Sequence, residues 1–175
     1  MNKVLIVIDM QNDFIYGKLS TPEAREIMPY IQTKIDHYHA NGNTVIFTKD
    51  THDHNYLDTH EGKRLPIPHC MVGDHGRELV YEVWARDHIV PKYDFGYPEW
   101  RSAIMNATYR PDVIEIVGVC TDICVISNAL ILRALFPEKD IIVDAKCCAG
   151  TTIERHKAAL DVMRACHVDV VEGWA

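Results

Sequence analysis

Six short apolar runs rich in β-branched residues recur along this chain, and a helical pattern separates most of them. The runs are continuous rather than alternating, which is typical of strands covered on both faces. Strands that alternate with helices favour a parallel sheet. The pattern therefore predicts one α/β domain over residues 1–175, a doubly wound fold with about six strands in a mainly parallel sheet flanked by helices. The predicted strands cover residues 4–8, 44–48, 88–90, 113–117, 141–143 and 168–171.

The helical segments have their own start and stop signals. The Ser-Thr-Pro-Glu run at residues 20–23 offers a cap and Gly42 a stop, which predicts a first helix over residues 22–40. Residues 50–86, in contrast, are rich in His, Pro, Asp and Gly and predict a long loop, which in a compact domain is usually functional or disordered. Further helices are predicted over residues 99–107, 122–135 and 153–166.

The composition limits the classes of partner. A net charge of −7 and a pI of about 5.8, without a basic cluster, argue against nucleic acid. The apolar runs are far shorter than the roughly 20 residues of a membrane span, and the N-terminus lacks the pattern of a secretory signal. We therefore expect a cytoplasmic protein with no nucleic-acid or membrane partner, whose six cysteines are thiols rather than disulfides.

Cys124 lies where the predicted strand at residues 113–117 gives way, after Gly118, to a predicted helix. At a helix N-terminus, the partial positive charge and free N–H groups favour a thiolate and can hold a developing oxyanion. Because free cysteine is also a common buried residue, packing alone would explain Cys124 equally well. The choice between these interpretations depends on the rest of the chain.

Two other predicted strands end in charged residues. Asp9 ends the first strand and Lys92 ends the third, so both side chains are expected at the carboxyl edge where Cys124 lies. Taken singly, Asp9 would be a helix cap or loop anchor, Lys92 a solvated surface lysine and Asp13 a turn residue. Together, Asp9, Lys92 and Cys124 supply a proton acceptor, a cation that lowers the thiol pKa and a nucleophile, which indicates a thiol hydrolase.

Asp50 and His52 follow the second predicted strand, and His69 lies further along the same loop. One carboxylate and two imidazoles can hold a zinc ion with positions left open for water or substrate. Glu61, in the same loop, is a candidate for a further oxygen ligand. Since the chain has ten histidines, some of these pairs would occur by chance.

Five motifs follow one another along nearly the whole chain. They are VIDMQNDF at residues 7–14, TKDTH at 48–52 followed by Asn55 and Tyr56, PHC at 68–70, Lys92, and GVCTDICV at 118–125. This ordered set resembles the isochorismatase-like cysteine hydrolases and, within them, the nicotinamidases.

The resemblance implies a catalytic triad of Asp9, Lys92 and Cys124. It further implies a cis peptide bond before Cys120 and an oxyanion hole made by the backbone N–H groups of Cys120 and Cys124. Hydrolysis of a small-molecule amide would then pass through a Cys124 thioester.

The same resemblance implies a metal on Asp50, His52 and His69, with Glu61 as an additional ligand. The metal would be zinc or another divalent ion such as iron or manganese. Relatives commonly form homo-oligomers, and the expected reaction is the hydrolysis of nicotinamide to nicotinate and ammonia in NAD salvage. Phe14 is expected in the aromatic pocket around the substrate ring, with Tyr93, Phe95 and Tyr97 as further candidates.

The sequence departs from the nicotinamidase pattern at residues 65–68, where relatives often have a tryptophan, at Asp74, and at Asp94 after Lys92. Three alternatives therefore stay open. The first is a metal-free hydrolase of carbamoyl or ureido compounds, which Asp50, His52 and His69 argue against. The second is a silent scaffold of the same fold. The third is a redox or structural zinc module, which the absence of a CxxC pair disfavours.

Overall fold

The structure, a computed structural model, describes residues 2–108 and 110–173. Within these ranges a six-stranded sheet has the order β3-β2-β1-β4-β5-β6, and every neighbouring pair of strands is parallel. The predicted fold class is thereby confirmed. The strands are β1 (Lys3–Ile8), β2 (Thr44–Asp50), β3 (His88–Lys92), β4 (Val113–Val119), β5 (Asp140–Ala149) and β6 (Asp169–Val171).

Helices connect most of the strands, and short turns interrupt the long loop between β2 and β3. None of the helices in the described part of the chain is long and apolar enough to cross a membrane. The helices are α1 (Asn12–Ile15), α2 (Pro22–Glu26), α3 (Met28–Ala40), α4 (Trp100–Ala107), α5 (Ile126–Leu135) and α6 (Ile153–Ala165), with a π-helical turn at Thr121–Val125 and 3₁₀ turns at Tyr56–Asp58 and His75–Arg77.

Two of the predicted helices are not continuous α-helices. The prediction of a single helix over residues 22–40 is wrong, because α2 ends at Glu26 and, after Ile27, α3 begins at Met28. Pro29 has no N–H to continue the hydrogen-bond ladder, but it is well tolerated in the first turn of a new helix. The helix expected over 122–135 begins as the π-helical turn and becomes α-helical only at Ile126.

The sheet is covered on both faces, as its continuous apolar strands predict. Successive residues of β1 alternate between two cores, with Ile6 and Ile8 facing α4, α5 and α6, and Leu5 and Val7 facing α2 and α3. All four side chains are fully buried. β1 is thus buried on both faces, and its pairing with β2 and β4 makes it an interior strand of the sheet.

The chain reverses its direction of sheet growth at β1. It proceeds from β1 to β2 and β3 on one side and returns to place β4 on the other. In doubly wound sheets, sites form beyond the carboxyl ends of the strands at such a point. Asp9, which follows β1, and Cys120, which follows β4, lie at this position.

Candidate active site

The carboxyl edge of the sheet brings Asp9, Lys92 and Cys124 together. Lys92 Nζ lies 2.6 Å from Asp9 Oδ2 and 3.4 Å from Cys124 Sγ. It also lies 3.2 Å from Asp50 Oδ1, because Lys92 and Asp50 are register partners on β3 and β2. All four side chains are buried. The ammonium group is thus the centre of the cluster, with carboxylates and the thiol around it.

Thr48, on β2, holds the Asp9 carboxylate. Its hydroxyl donates to Asp9 Oδ1 at 2.6 Å and accepts from the Asp9 N–H at 3.0 Å. Asp9 has a φ of 48°, in the left-handed region, where aspartate is one of the more tolerant residues. Burial raises the pKa of Asp9, and the adjacent Lys92 ammonium opposes this rise.

Cys124 lies in the π-helical turn that follows β4. The Val125 N–H donates to the Cys120 carbonyl at 3.1 Å, which closes the wider ring of a π-turn. The peptide bond between Val119 and Cys120 is cis, as the family resemblance implies. π-helical turns occur frequently at functional sites, and this one places Cys124 within the first turn of the helical segment.

The Cys124 side chain is only 7% exposed. Burial raises the pKa of its thiol well above the usual range, although the Lys92 ammonium lowers it. The sequence-based expectation that a cation lowers this pKa therefore describes one contribution, which burial outweighs. In this arrangement the thiol is neutral until a base removes its proton.

The segment that begins α6 anchors the π-helical turn. The Thr151 N–H and hydroxyl both donate to the Asp122 carboxylate, at 2.7 and 2.5 Å. The buried Thr121 hydroxyl pairs with His156 Nδ1 at 2.8 Å. These contacts join residues about 30 positions apart, so sequence spacing gives no signal for them.

The metal-ligand candidates also converge. One donor atom each from Asp50, His52 and His69 lies within 4.8 Å of the others, and all three side chains are buried. His52 Nε2 is 3.0 Å from Asp50 Oδ2, and His69 Nε2 is 3.5 Å from the same oxygen. Glu61 Oε1 lies 3.6 Å from His69 Nε2 and 3.8 Å from His52 Nε2.

Hydrogen bonds orient these donors. His69 Nδ1 donates to the Ile67 carbonyl at 2.8 Å, which turns Nε2 toward Asp50. Gln11 is fully buried and pairs with both main-chain groups of Asp50, accepting from its N–H at 2.8 Å and donating to its carbonyl at 2.9 Å. Gln11 is a positioning residue that the sequence interpretation missed. A glutamine shortly after a buried strand was the available signal.

Asp13 is more than the turn residue expected from the sequence. It lies in α1, and its carboxylate accepts from the Cys70 N–H at 2.7 Å. Asp13 thereby ties the middle of the long loop to the sheet edge and helps to fix the adjacent His69. Tyr56 was likewise named only as part of the resemblance, yet its buried ring lies against His52 and His69, with ring centroids 4.7 and 5.2 Å apart.

The chemistry of this group suits a divalent metal. Burial alone would raise the pKa of Asp50, but contacts with His52 and His69 and the Lys92 ammonium hold it well below its usual range. A buried carboxylate and two imidazole nitrogens close to one another are a donor set that zinc favours. Burial raises the pKa of Glu61, the second carboxyl group at this position. A bound cation would favour its ionised form.

A cleft of about 1150 Å³ opens over both clusters. Phe14 lines it, with its ring centroid 5.6 Å from that of His69, and Tyr93 and Phe95 also line it. Tyr97, a further pocket candidate, is not among the lining residues, because its ring packs edge-on against Trp100.

Comparison with known proteins places this geometry in a family. The isochorismatase domain matches residues 3–173. A nicotinamidase/pyrazinamidase from Mycobacterium tuberculosis is 28% identical, covering 97% of this chain and 98% of the relative.

Two solved structures have the same fold. One is the nicotinamidase/pyrazinamidase PncA from Bacillus subtilis, at 26% identity and a TM-score of 0.86, covering 98% of this chain and 100% of that chain. The other is the pyrazinamidase of Pyrococcus horikoshii in complex with zinc, at 25% identity and a TM-score of 0.82, covering 98% and 99%. These likenesses indicate an amide hydrolase, as the sequence predicted. Because the domain match extends over nearly all of its length, the chain belongs to the isochorismatase family.

Proposed function

We propose that this protein is a metal-dependent nicotinamidase, which hydrolyses nicotinamide to nicotinate and ammonia with Cys124 as nucleophile. The observation that carries the proposal is the contact of one ammonium, Lys92 Nζ, with Asp9, Cys124 and Asp50. This contact links Asp9 and Cys124, the proposed base and nucleophile, to Asp50, one of the metal-ligand candidates. The names of the relatives support the choice of substrate.

In the first half of the reaction, Asp9 accepts the proton of the Cys124 thiol as Sγ attacks the amide carbon. A thiol that burial keeps neutral needs such a base, and Asp9 is held ready by Thr48 and Lys92. Lys92 stabilises the negative charge that develops on sulfur. Asp9 then returns the proton to the departing nitrogen, so that ammonia leaves and a thioester remains.

In the second half, Asp9 accepts a proton from water as the water oxygen attacks the thioester carbon. The thiolate of Cys124 leaves as the carboxylic acid forms. The proton on Asp9 then returns to the sulfur of Cys124. Both attacks place negative charge on the substrate oxygen. The backbone N–H groups of Cys120 and Cys124, at the start of the helical segment, are the proposed oxyanion hole.

Asp50, His52 and His69 would hold the metal, with Glu61 as an additional ligand. Zinc fits this donor set, and iron or manganese are the alternatives. When bound, the ion supplies a Lewis-acid site that orients the pyridine ring and withdraws electrons from the amide. Phe14 packs beside His69 and would contact the ring of the substrate. The cytoplasmic location and homo-oligomeric state expected from the sequence remain predictions.

The first experiment measures ammonia release from nicotinamide by purified protein of known metal content. We expect release that is abolished in Cys124→Ala and reduced by chelation. Cys166→Ala is the matched control, because Cys166 is exposed and lies outside the cleft, and it should retain full activity. Release that persists in Cys124→Ala would contradict the mechanism. No release by the zinc-loaded protein would remove nicotinamide and direct the search to other small amides.

A further inference from the structure

Three cationic side chains line the outer part of the cleft. Lys18, Arg64 and Arg155 are all exposed, whereas Cys124 and His69 at the inner end are buried. They come from three separate parts of the chain: the turn after α1, the long loop and the first turn of α6. We call these three residues the cationic rim.

The cationic rim has no acidic partner in the part of the chain that the structure describes. Arg64 Nη1 contacts His60 Nε2 at 2.6 Å, and Arg155 Nη1 donates to Thr151 Oγ1 at 3.4 Å. Ion pairs to carboxylates are formed instead by cations elsewhere, such as Lys49 and Arg164. The charges of the rim are therefore available to a ligand.

The acids that line the same cleft do not neutralise the rim. Asp50 is paired with Lys92, and Glu61 lies beside His52 and His69 at the inner cluster. Asp94 is exposed, and its carboxylate accepts from the Phe95 N–H at 2.7 Å. In a chain of net charge −7, three unpaired cations and one exposed acid, Asp94, lie around this opening, and the cations favour an anionic ligand there.

The cleft is also larger than one aromatic amide requires. Its volume of about 1150 Å³ exceeds the range of roughly 300–1,000 Å³ that is usual for small-molecule pockets. A single pyridine carboxamide at the inner end would leave the outer part empty. The rim lies in that outer part, where a group attached to the substrate would reach.

We propose that the preferred substrates are primary amides that also carry an anionic group, a carboxylate or a phosphate, and that the cationic rim binds this group. The inference rests on the proposed amidase function and extends it to a substrate class, with nicotinamide as a minimal substrate. Arginine suits the role because its planar fork matches carboxylate and phosphate oxygens. Because the rim is exposed, it contributes to capture of the substrate and to its orientation rather than to the chemical step.

The test compares matched amides by their rates of ammonia release. The probes are nicotinamides that carry, on ring carbon 5, a carboxyalkyl or a phosphonoalkyl chain of two lengths, each measured against its own methyl ester. Three exposed ion pairs predict that kcat/KM for at least one acid exceeds that of its ester by about fivefold or more, with a loss of this advantage at high salt. The carboxylate and phosphonate series distinguish the two anions.

Rim variants identify the responsible groups. In the triple variant Lys18→Gln, Arg64→Gln and Arg155→Gln, the ratio of kcat/KM for acid to ester should fall to near unity. Arg64→Lys and Arg155→Lys should keep most of it, because the charge remains. Arg164→Gln is the control, since Arg164 is exposed and paired with Asp161 away from the cleft.

The two proposals fail in different ways. If nicotinamide, every acid and every ester release no ammonia, the amidase proposal fails. In that case, binding of the acids and esters to Cys124→Ala, measured by calorimetry, still tests the rim. If turnover is intact but no acid exceeds its ester in any series, or if the triple variant keeps the preference, the rim proposal is overturned.

Discussion

The Thr48 hydroxyl makes two hydrogen bonds to Asp9, one donated to the carboxylate and one accepted from the backbone N–H. These bonds occupy one carboxylate oxygen, Oδ1, and leave the other 2.6 Å from Lys92 Nζ. Thr48 therefore fixes both the backbone and the side chain of the proposed base. Thr48 lies on β2, the neighbour of the strand β1 that Asp9 follows, and does not line the cleft itself.

Thr48→Val should shift the acid limb of the pH profile upward. Asp9 must be ionised to accept a proton, so kcat/KM is lost as the pH falls through the pKa of Asp9, which burial already raises. Removing a donor to the carboxylate raises this pKa further, by about 1–2 units if the bond contributes about 1.5–3 kcal/mol. Thr48→Ser, which keeps the hydroxyl, should restore the wild-type profile. An unchanged limb in Thr48→Val would show that Asp9 is not the titrating base.

Asp9→Asn should slow the reaction of Cys124 with iodoacetamide near neutral pH by about tenfold or more, because asparagine cannot accept the thiol proton. The exposed Cys166 is an internal reference whose rate should not change. Mass spectrometry of the labelled peptides separates the two sites, and Cys124→Ala confirms the assignment. If Cys124 in Asp9→Asn labels as fast as in the wild type, Asp9 has no role in activating the thiol.

Much of this site could be predicted from strand ends alone. The apolar runs indicated the strands, and the parallel arrangement placed the residues at the carboxyl ends of β1, β3 and β4 at one edge. The expected meeting of Asp9, Lys92 and Cys124 follows from that rule, because it needs only the direction of each strand.

The supporting contacts could not be predicted in this way. The bond from Thr48 to Asp9 depends on side-chain orientation across a strand pair, and the position of Tyr56 depends on how a long loop closes. Asp13 accepts from the Cys70 N–H and Gln11 donates to the Arg77 carbonyl, and these hydrogen bonds to the main chain of the loop leave no periodic pattern in the sequence. The break at Pro29 had a sequence signal, but the helical pattern on both sides masked it.

Gln11→Leu should weaken zinc binding while the protein stays folded. Gln11 holds both main-chain groups of Asp50, and loss of such outer contacts usually lowers metal affinity by about 10–100-fold. Competition with a chromophoric chelator measures the affinity, and circular dichroism reports the fold. Gln32→Leu is the control, since Gln32 is exposed on α3 and its side chain donates to Asp36. Unchanged zinc affinity in a folded Gln11→Leu would show that Asp50 is not held by this residue or is not a ligand.

Gly118→Ala should cost far more stability than Gly42→Ala, although both glycines have a positive φ. At Gly118, φ is 120°, and an added Cβ would lie 2.2 Å from the Ile8 carbonyl oxygen of the neighbouring strand. At Gly42, φ is 68° and no atom lies within 4 Å of the added Cβ. The left-handed conformation alone costs a non-glycine residue about 1–2 kcal/mol, whereas overpacking against backbone adds about 1–3 kcal/mol.

The free energy of unfolding in urea measures the difference between these two variants. Because Gly118 lies two residues before Cys120, any shift that relieves the clash also moves the turn that presents Cys124. A folded fraction of Gly118→Ala, if recovered, should therefore lose amidase activity as well as stability, whereas Gly42→Ala should keep its activity. Equal stability losses in the two variants would mean that β4 can move away from β1 at this position. The close packing of these strands would then not be what fixes the active-site edge.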